Sequence, residues 1–304
     1  MITATEYELV TESTGLLERS ERAKLVVRGA EAADFLQGQL TNDVEALAPG
    51  QGCYAALLTH KGKLRADLRC LRLEDGFWLD AEAIAGRVVA HTVETYSLGR
   101  EVRWEDLTPE RSILSLLGPE SRARLDAGPP QEEHAFVQGE HGLYVSTLLG
   151  VDVICEAAAV EGVREALGVE SVSEDVAECL RIEAGRPRLG PDMGTETIPQ
   201  EAGLNERAVS FTKGCYVGQE TVARLHYRGK PNRHLRGLRL SEPADRGEPI
   251  RLGGREVGAL GSTCVSPTLG PIALALVRRE AAPGATVTVG DGKEAELVEL
   301  PFRG

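Results

Sequence analysis

The sequence has few aromatic residues and no long hydrophobic run. Phe, Trp and Tyr make up 4% of its 304 residues, whereas 42% are hydrophobic, so any core must be mainly aliphatic. No run of about 18 apolar residues occurs, which predicts that no helix spans a membrane. The first ten residues show neither a basic n-region nor an apolar h-region. We therefore expect no secretory signal and a soluble, cytoplasmic protein.

The six cysteines do not follow the spacing of a metal site or a disulfide framework. None forms a CxxC pair, and no histidine stands at metal-ligand spacing from any of them. Structural disulfides are unusual in a large chain without a secretory signal, and a zinc site needs clustered thiolates or imidazoles. We predict no metal site and interpret Cys70, Cys155 and Cys179 as small buried hydrophobic residues.

Basic residues are outnumbered, and the formal net charge is -13. Such a surface repels polyanions, so general nucleic-acid binding is not expected. The window 221–241 is unusual because it contains no Asp or Glu. Either this window faces an anion, or it is a solvated turn whose arginines pair with acidic residues elsewhere in the fold. Its cations are Arg224, Arg228, Lys230, Arg233, Arg236 and Arg239.

The chain length suits two or three domains. Strand and helix patterns alternate up to about residue 184, with a hairpin-type turn at 60–63, which indicates an α+β fold rather than a doubly wound parallel sheet. Short strands separated by Pro and Gly turns follow from about residue 235, as in a small antiparallel β-barrel. We predict a domain boundary between residues 238 and 239.

The segment 213–220 reads Lys-Gly-Cys-Tyr-Val-Gly-Gln-Glu. Its cysteine, Cys215, stands two residues after Lys213 and shortly before the cationic window. Nearby cations and backbone N–H groups favour the thiolate form of a cysteine. Cys215 is therefore a candidate reactive thiol with Lys213 beside it, although local chemistry alone leaves an unreactive thiol open.

Three polar residues are further candidates for binding. Glu183 falls on the apolar face of a predicted helix at 174–184, where a carboxylate must find hydrogen-bond donors. It could accept paired N–H bonds from a pterin or purine edge, reach solvent, or pair with a nearby arginine. Asp67 alternates with Arg65 and Arg69 on a predicted strand, so it is either salt-bridged on a solvated face or aimed at a ligand. Asn42 could cap a turn or line a pocket.

These segments together resemble a known family. The 213–220 segment is similar to the signature of the YgfZ-type folate-binding proteins, which are relatives of the glycine-cleavage T-protein (aminomethyltransferase) and are linked to iron–sulfur cluster maintenance. The resemblance extends to residues 35–43, 61–63, 181–187 and 199–201, and residues 258–267 resemble the C-terminal barrel of the T-protein. Residues 105–170 carry no such signature.

The resemblance implies a T-protein-like, multi-domain folate-binding fold. Residues 1–238 would form two intertwined α+β subdomains and residues 239–304 a small antiparallel β-barrel. The implied cofactor is tetrahydrofolate or a one-carbon derivative, with its glutamate tail near Arg224 and the rest of the cationic window.

The resemblance also assigns individual residues. Glu183 matches the T-protein glutamate that holds the pterin ring, and Arg207 is a candidate for the folate-contacting arginine. Asn42 would belong to the same folate-binding set. Asp67 falls where the T-protein has two consecutive aspartates, but Ala66 precedes it here. This departure argues against aminomethyl transfer.

Three functions are compatible with these features. The first is a tetrahydrofolate-binding factor that uses Cys215 to assemble or repair iron–sulfur clusters in client enzymes, including tRNA-modifying ones. The second is a tetrahydrofolate-dependent aminomethyltransferase or other one-carbon transferase. The third is a non-catalytic folate-sensing or RNA-modification-linked adaptor, which would use the cationic window to contact tRNA or a partner enzyme. Because an acidic residue is missing at position 66, the sequence favours the first function.

Overall fold

The computed structural model describes residues 2–302, which form two compact units. One unit, here called the two-sheet unit, contains residues 8–172 and 205–219. The other, called the barrel unit, contains residues 2–7, 173–204 and 220–302. None of the described helices is long and apolar enough to cross a membrane.

The helices and strands are interleaved along the chain. The α-helices are α1 (Ala4–Glu12), α2 (Ala32–Gln39), α3 (Ala83–Tyr96), α4 (Val160–Leu167), α5 (Glu174–Glu183), α6 (Asn205–Ala208) and α7 (Gln219–Arg228). The strands are β1 (Gly15–Glu18), β2 (Ala23–Arg28), β3 (Gly52–Leu58), β4 (Leu64–Arg72), β5 (Gly76–Ala81), β6 (Arg103–Asp106), β7 (Arg111–Leu117), β8 (Phe136–Gly139), β9 (Gly142–Thr147), β10 (Gly150–Glu156), β11 (Arg233–Leu240), β12 (Pro249–Leu252), β13 (Arg255–Ser266), β14 (Gly270–Arg278), β15 (Thr286–Val289) and β16 (Lys293–Val298). Short 3₁₀ helices lie at Ser121–Arg124 and Ala157–Ala159.

The two-sheet unit contains two five-stranded antiparallel sheets. Their strand orders are β3-β4-β5-β2-β6 and β1-β7-β10-β9-β8. One face of the first sheet packs on the second through a shared apolar cluster that includes Trp78, Phe136 and Ile154. The opposite face carries Leu57 and Leu68 and packs against α2 and α3. Both faces of the first sheet are therefore covered.

Buried ion pairs join the two sheets beside this apolar cluster. Arg69 of β4 donates from Nε to Asp80 and from Nη1 to Asp152 of the second sheet, both at 2.7 Å. Arg22 also bonds to Asp80, at 2.8 Å. Burial alone would raise the pKa of Asp80, but the Arg69 and Arg22 guanidiniums outweigh it and lower that pKa to about 2. A charged, paired network therefore fixes the middle of β4, the strand that also carries Asp67.

The barrel unit contains a closed barrel of six strands in the order β11-β14-β13-β12-β15-β16. Aliphatic side chains fill it, including Leu238, Ile250 and Leu297. The pairing of β13 with β14 shifts between Leu260 and Thr263, which bends the strand near α5. The predicted α+β fold with a small C-terminal antiparallel barrel is confirmed. The boundary between residues 238 and 239 stays a prediction; the first barrel strand begins at Arg233.

The structure differs from the sequence-based expectation in the acid-free window. Its first part is not a turn but the helix α7, whose one buried residue is Val222. A helix with so little buried surface leaves hardly any hydrophobic periodicity in the sequence, so the pattern did not predict it. Later in the window, Arg233 pairs with Glu201 and Arg236 pairs with Glu299. This agrees with the alternative in which the arginines pair with acidic residues elsewhere in the fold.

Candidate functional site

Asp67 lies on the face of β4 that the second sheet covers. It is 9% exposed and its neighbour Arg69 is 6% exposed, so the interpretation of a solvated polar face is wrong for both. Oδ2 of Asp67 accepts a hydrogen bond of 2.6 Å from the Tyr54 hydroxyl. Oδ1 is buried and has no hydrogen-bond partner among the described residues. Burial raises the pKa of Asp67, and the Tyr54 hydrogen bond only partly opposes this shift.

Tyr54 connects Asp67 to Arg207. Register explains the first contact, because β3 and β4 pair antiparallel with Tyr54 opposite Arg69 and Ala56 opposite Asp67. The Arg207 guanidinium lies over the Tyr54 ring, 4.9 Å from its centroid, as in a cation–π contact. Burial raises the pKa of the Tyr54 hydroxyl well above its usual value. The hydroxyl is therefore a donor to Asp67 at neutral pH.

Glu133 holds the other side of Arg207, and His134 lies beside Glu133. Nη2 of Arg207 donates to Oε1 of Glu133 at 2.9 Å, and the same oxygen lies 3.7 Å from Nε2 of His134. His134 has a φ of 73°, in the left-handed region that non-glycine residues seldom adopt. Its Nδ1 and Nε of Arg207 are buried without a partner among the described residues. Burial, with help from Arg69, lowers the pKa of His134 to about 4, so its imidazole is neutral at pH 7.

Asn42 supports this cluster through the backbone. Its Nδ2 donates to the carbonyl oxygens of Tyr54 and Arg207, at 2.9 and 3.1 Å. Its Oδ1 accepts from the Asp43 N–H at 2.9 Å, which caps the local turn. The structure thus brings three predicted residues, Asp67, Arg207 and Asn42, together in the two-sheet unit. Asn42 fixes the backbone there.

Lys213 is buried against the end of α2. Its Nζ donates to the carbonyl oxygens of Gln37, Leu40 and Asn42 at 2.6 to 2.8 Å, which uses all three N–H donors of an ammonium group. Burial lowers the pKa of Lys213 to about 8. These contacts favour a structural role for Lys213, while the catalytic role expected from the sequence stays a prediction.

Cys215 is exposed, whereas Lys213, two residues before it, is buried. Tyr216 is buried, and the N–H of Val217 bonds to the carbonyl of Gly38 at 3.1 Å. Gly218 has a φ of +86°, and a Cβ there would lie 2.5 Å from the carbonyl oxygen of Thr59. The segment is therefore anchored on both sides of Cys215, and this anchoring presents the thiol to solvent.

Glu183 ends α5 in the barrel unit and is 3% exposed. Tyr7 donates to both carboxylate oxygens, at 2.8 and 3.0 Å. Oε1 also accepts from the Ser266 hydroxyl at 2.5 Å and from the Cys179 thiol at 3.7 Å. Hydroxyl and thiol groups of the protein thus donate to the carboxylate on the apolar helix face. The expected alternative of solvent exposure is wrong, because the side chain is buried.

Arg224 lies exposed on α7. It belongs to the barrel unit, as does Glu183, whereas Asp67, Arg207, Asn42, Lys213 and Cys215 belong to the two-sheet unit. No group of three or more His, Cys, Asp or Glu side chains within residues 2–302 is placed to hold a metal ion.

Sequence reasoning missed four residues of these clusters. Tyr54 could have been found by pairing the two predicted strands across the 60–63 turn, which places it on the same face as Asp67. Tyr7 contacts Glu183 from 176 residues away, so no local pattern links them. Glu133 and His134 lie in a loop without a recognisable signature.

Comparison with known proteins identifies the family. An aminomethyltransferase of Streptomyces coelicolor is 30% identical to this chain, over 98% of the chain and 88% of the relative. The family model "GCVT N-terminal domain" matches residues 1–141, and "Glycine cleavage T-protein C-terminal barrel domain" matches residues 233–303. The chain belongs to the glycine cleavage T-protein family.

Other members of the T-protein family agree with this assignment. An aminomethyltransferase of Rubrobacter xylanophilus is 29% identical over 98% of this chain and 85% of the relative. The crystal structure of glycine cleavage system aminomethyltransferase T from Bartonella henselae superposes with a TM-score of 0.90 at 26% identity, covering 98% of this chain and 88% of that one. The broad resemblance to the T-protein is thus confirmed, and the narrower YgfZ-type assignment stays a prediction.

Proposed function

We propose that this chain binds tetrahydrofolate or a one-carbon derivative and catalyses one-carbon transfer as an aminomethyltransferase of the T-protein type. The observation that carries the proposal is the state of Asp67. Its carboxylate is buried, is held by Tyr54 through one oxygen, and has no partner among the described residues on the other. Buried polar atoms are almost always paired, so an unpaired carboxylate oxygen suggests a bound donor.

The polar atoms near Asp67 suit a ligand that has both donors and acceptors. Arg207 offers an Nε–H and His134 a ring nitrogen, both buried and without a partner among residues 2–302. A folate carries amide, amine and carboxylate groups that could pair with such a set. In the barrel unit, Glu183 is the residue that we propose for holding the pterin, as the resemblance implies. When bound, tetrahydrofolate supplies the nitrogen that accepts the one-carbon unit.

Asp67 is suited to hold or move a proton during the transfer. The raised pKa of Asp67 lies closer to neutral pH than the pKa of an exposed aspartate. A pKa nearer the working pH favours general acid–base catalysis. Tyr54 orients the group, and the guanidinium of Arg207 over the Tyr54 ring keeps the ring in place. Glu133 and Asn42 act one step further away, as positioning residues for Arg207.

The alanine at position 66 does not weaken this proposal. Neighbouring side chains on a strand point to opposite faces, and Ala66 pairs with Leu57 on the helix-covered face. Ala66 is fully buried there. An aspartate at position 66 would thus lie among apolar side chains rather than beside Asp67. Ala66 is therefore compatible with aminomethyl transfer.

The proposal predicts a specific effect of Asp67→Asn, which keeps the shape of the side chain but cannot take up the proton. We expect the rate of methylenetetrahydrofolate formation from an aminomethyl-lipoyl carrier protein to fall about 100-fold, a usual size for loss of a general acid or base. The rate is measured in single turnovers. Asp75→Asn, at an exposed ion pair with Arg28, is the matched control. An unchanged rate in Asp67→Asn, or no turnover by the unmodified protein, would contradict the proposal.

A second candidate function rests on the exposed thiol of Cys215. We propose it as the group that would act if the chain instead serves iron–sulfur cluster assembly or repair in client enzymes, as the 213–220 signature suggests. Anchoring of the segment on both sides favours a presented thiol, which a purely structural cysteine does not need.

This second function predicts that Cys215→Ser abolishes the activation of iron–sulfur client enzymes in cells. Folding and folate binding should stay unchanged, because the side chain is exposed. Cys53→Ser, at a half-buried cysteine, serves as the control. Full client activity with Cys215→Ser would exclude this role and leave the transferase proposal untouched.

A further inference from the structure

Two of the six cysteines lie side by side in the barrel unit. Sγ of Cys179 on α5 and Sγ of Cys264 on β13 are 3.3 Å apart, although 85 residues separate them in sequence. Cys179 is buried, and Cys264 is half-buried. The Cys264 thiol donates to the Cys179 sulfur, and the Cys179 thiol donates to Oε1 of Glu183 at 3.7 Å.

Cys179 and Cys264 are best considered together, as a pair of neighbouring thiols. Within residues 2–302 no set of three or more potential His, Cys, Asp or Glu ligands is placed for a metal ion. The two sulfurs already touch, and a disulfide requires them to approach to about 2.05 Å. Helix α5 and strand β13 are packed against each other at this point. The remaining approach is therefore a matter of side-chain rotation and a small local shift.

We propose that Cys179 and Cys264 form a reversible disulfide, with a low-molecular-weight disulfide such as oxidised glutathione as the oxidant. This modification site goes beyond the proposed function and does not depend on it. Neither cysteine belongs to the signature segment around Cys215.

The two thiols have different parts in the exchange. The contact with Cys264, burial and the nearby Glu183 carboxylate raise the pKa of Cys179 far above its usual value, so Cys179 does not attack the oxidant first. Cys264 is the more exposed thiol, and its thiolate attacks one sulfur of oxidised glutathione. A bond forms between Cys264 and glutathione, and one glutathione thiolate leaves.

The second exchange closes the disulfide. Cys179 gives up its proton, for which Oε1 of Glu183 is an acceptor already within reach. Its sulfur then attacks Sγ of Cys264 and displaces the second glutathione thiolate, which takes up a proton. In sum, two protein thiols are oxidised to one disulfide, and one oxidised glutathione is reduced to two molecules of glutathione.

The disulfide would tie together two elements that carry the Glu183 site. Cys179 lies one helical turn before Glu183 on α5, and Cys264 lies two residues before Ser266 on β13, whose hydroxyl bonds to Glu183. Oxidation also removes the thiol hydrogen that Cys179 donates to Oε1. In the oxidised state a covalent bond would therefore link α5 to β13, and in the reduced state Cys179 donates a hydrogen bond to Glu183.

The test uses the full-length protein, kept folded in glutathione buffers of increasing oxidised-to-reduced ratio. Samples are quenched in acid, unfolded, alkylated and analysed by peptide mass spectrometry, so that burial does not hide free thiols. We expect alkylation of Cys179 and Cys264 to fall together at least tenfold, with a linked peptide that dithiothreitol removes. Cys155, which is buried in the two-sheet unit, should stay fully alkylated as the internal reference.

Two variants complete the test. In Cys264→Ser, Cys179 should stay alkylated at every ratio, and in Cys155→Ser the Cys179–Cys264 peptide should form as in the unmodified protein. The proposal is overturned if Cys264 carries glutathione while Cys179 remains free. It is equally overturned if both thiols stay reduced where oxidised glutathione predominates, or if either cysteine links to Cys215. The unmodified protein alone decides these outcomes, even where a variant folds poorly.

Discussion

At the scale of single residues, the site consists of polar groups whose burial costs free energy. Hydrogen bonds and ion pairs offset only part of that cost. Asp67, Arg207 and His134 each leave a buried polar atom without a partner among the described residues. His134 also has a strained backbone conformation. Strain and unpaired polar atoms usually persist where function requires them. Their linkage through Tyr54 and Glu133 is therefore the strongest structural sign of a ligand site.

His134 provides a pH-dependent test at this scale. Its folded pKa of about 4 lies below the unfolded value of 6.5, so the unfolded chain binds a proton first as the pH falls. Stability should therefore decrease between pH 6.5 and pH 4, by up to about 3 kcal/mol for this group. His134→Asn keeps a polar side chain that tolerates the left-handed region and should remove this decrease. Urea unfolding at a series of pH values measures it.

The control for this prediction is His141→Asn, a change at another histidine of the same unit. Its pH dependence should match that of the unmodified protein. If His134→Asn shows the same loss of stability between pH 6.5 and pH 4 as the unmodified chain, the imidazole is not buried in its neutral form.

At the scale of elements, the decisive contacts join the ends of helices and strands to loops. Lys213 binds three carbonyl oxygens at and after the end of α2, and Asn42 in that loop holds Tyr54 and Arg207. The signature segment and the Asp67 cluster are thus connected through one short loop. This connection explains why a lysine stands two residues before Cys215 without being directed at its thiol.

Lys213→Met tests this connection. The substitution keeps most of the apolar stem of the side chain. It removes the three hydrogen bonds that the ammonium group donates to carbonyl oxygens. We expect the free energy of unfolding to fall by about 3 kcal/mol, since several acceptors lose a buried donor at once. Lys61→Met, at an exposed lysine in the β3–β4 turn, should change it by less than about 0.5 kcal/mol. A similarly small change in Lys213→Met would show that the ammonium does not hold the loop.

Element patterns were the part of the structure that the sequence predicted best. The alternation in β4, the helical spacing of α5 and the strand repeats after residue 235 all have strong periodicity, and each element is present. Helix α7 escaped prediction because only Val222 is buried. The pairing of Cys179 with Cys264 and of Tyr7 with Glu183 also escaped, because such contacts arise from tertiary packing over 85 and 176 residues.

At the scale of the whole molecule, the chain is a T-protein family member with two compact units, each of which contributes candidate binding residues. The resemblance found in the sequence identified the correct superfamily, whereas the identity of residue 66 favoured iron–sulfur cluster maintenance over the aminomethyl transfer that we propose. That inference treated a sequence position as though its side chain faced the site. The strand register shows that Ala66 faces the helices instead.

Calorimetric titration of tetrahydrofolate into the unmodified protein and into Glu183→Gln tests the central claim most directly. The exposed change Glu242→Gln serves as the control. The account predicts saturable binding to the unmodified protein and to the control, and an affinity at least tenfold weaker for Glu183→Gln, equivalent to about 1.4 kcal/mol. No heat of binding with the unmodified protein, or equal affinity for all three proteins, would contradict it.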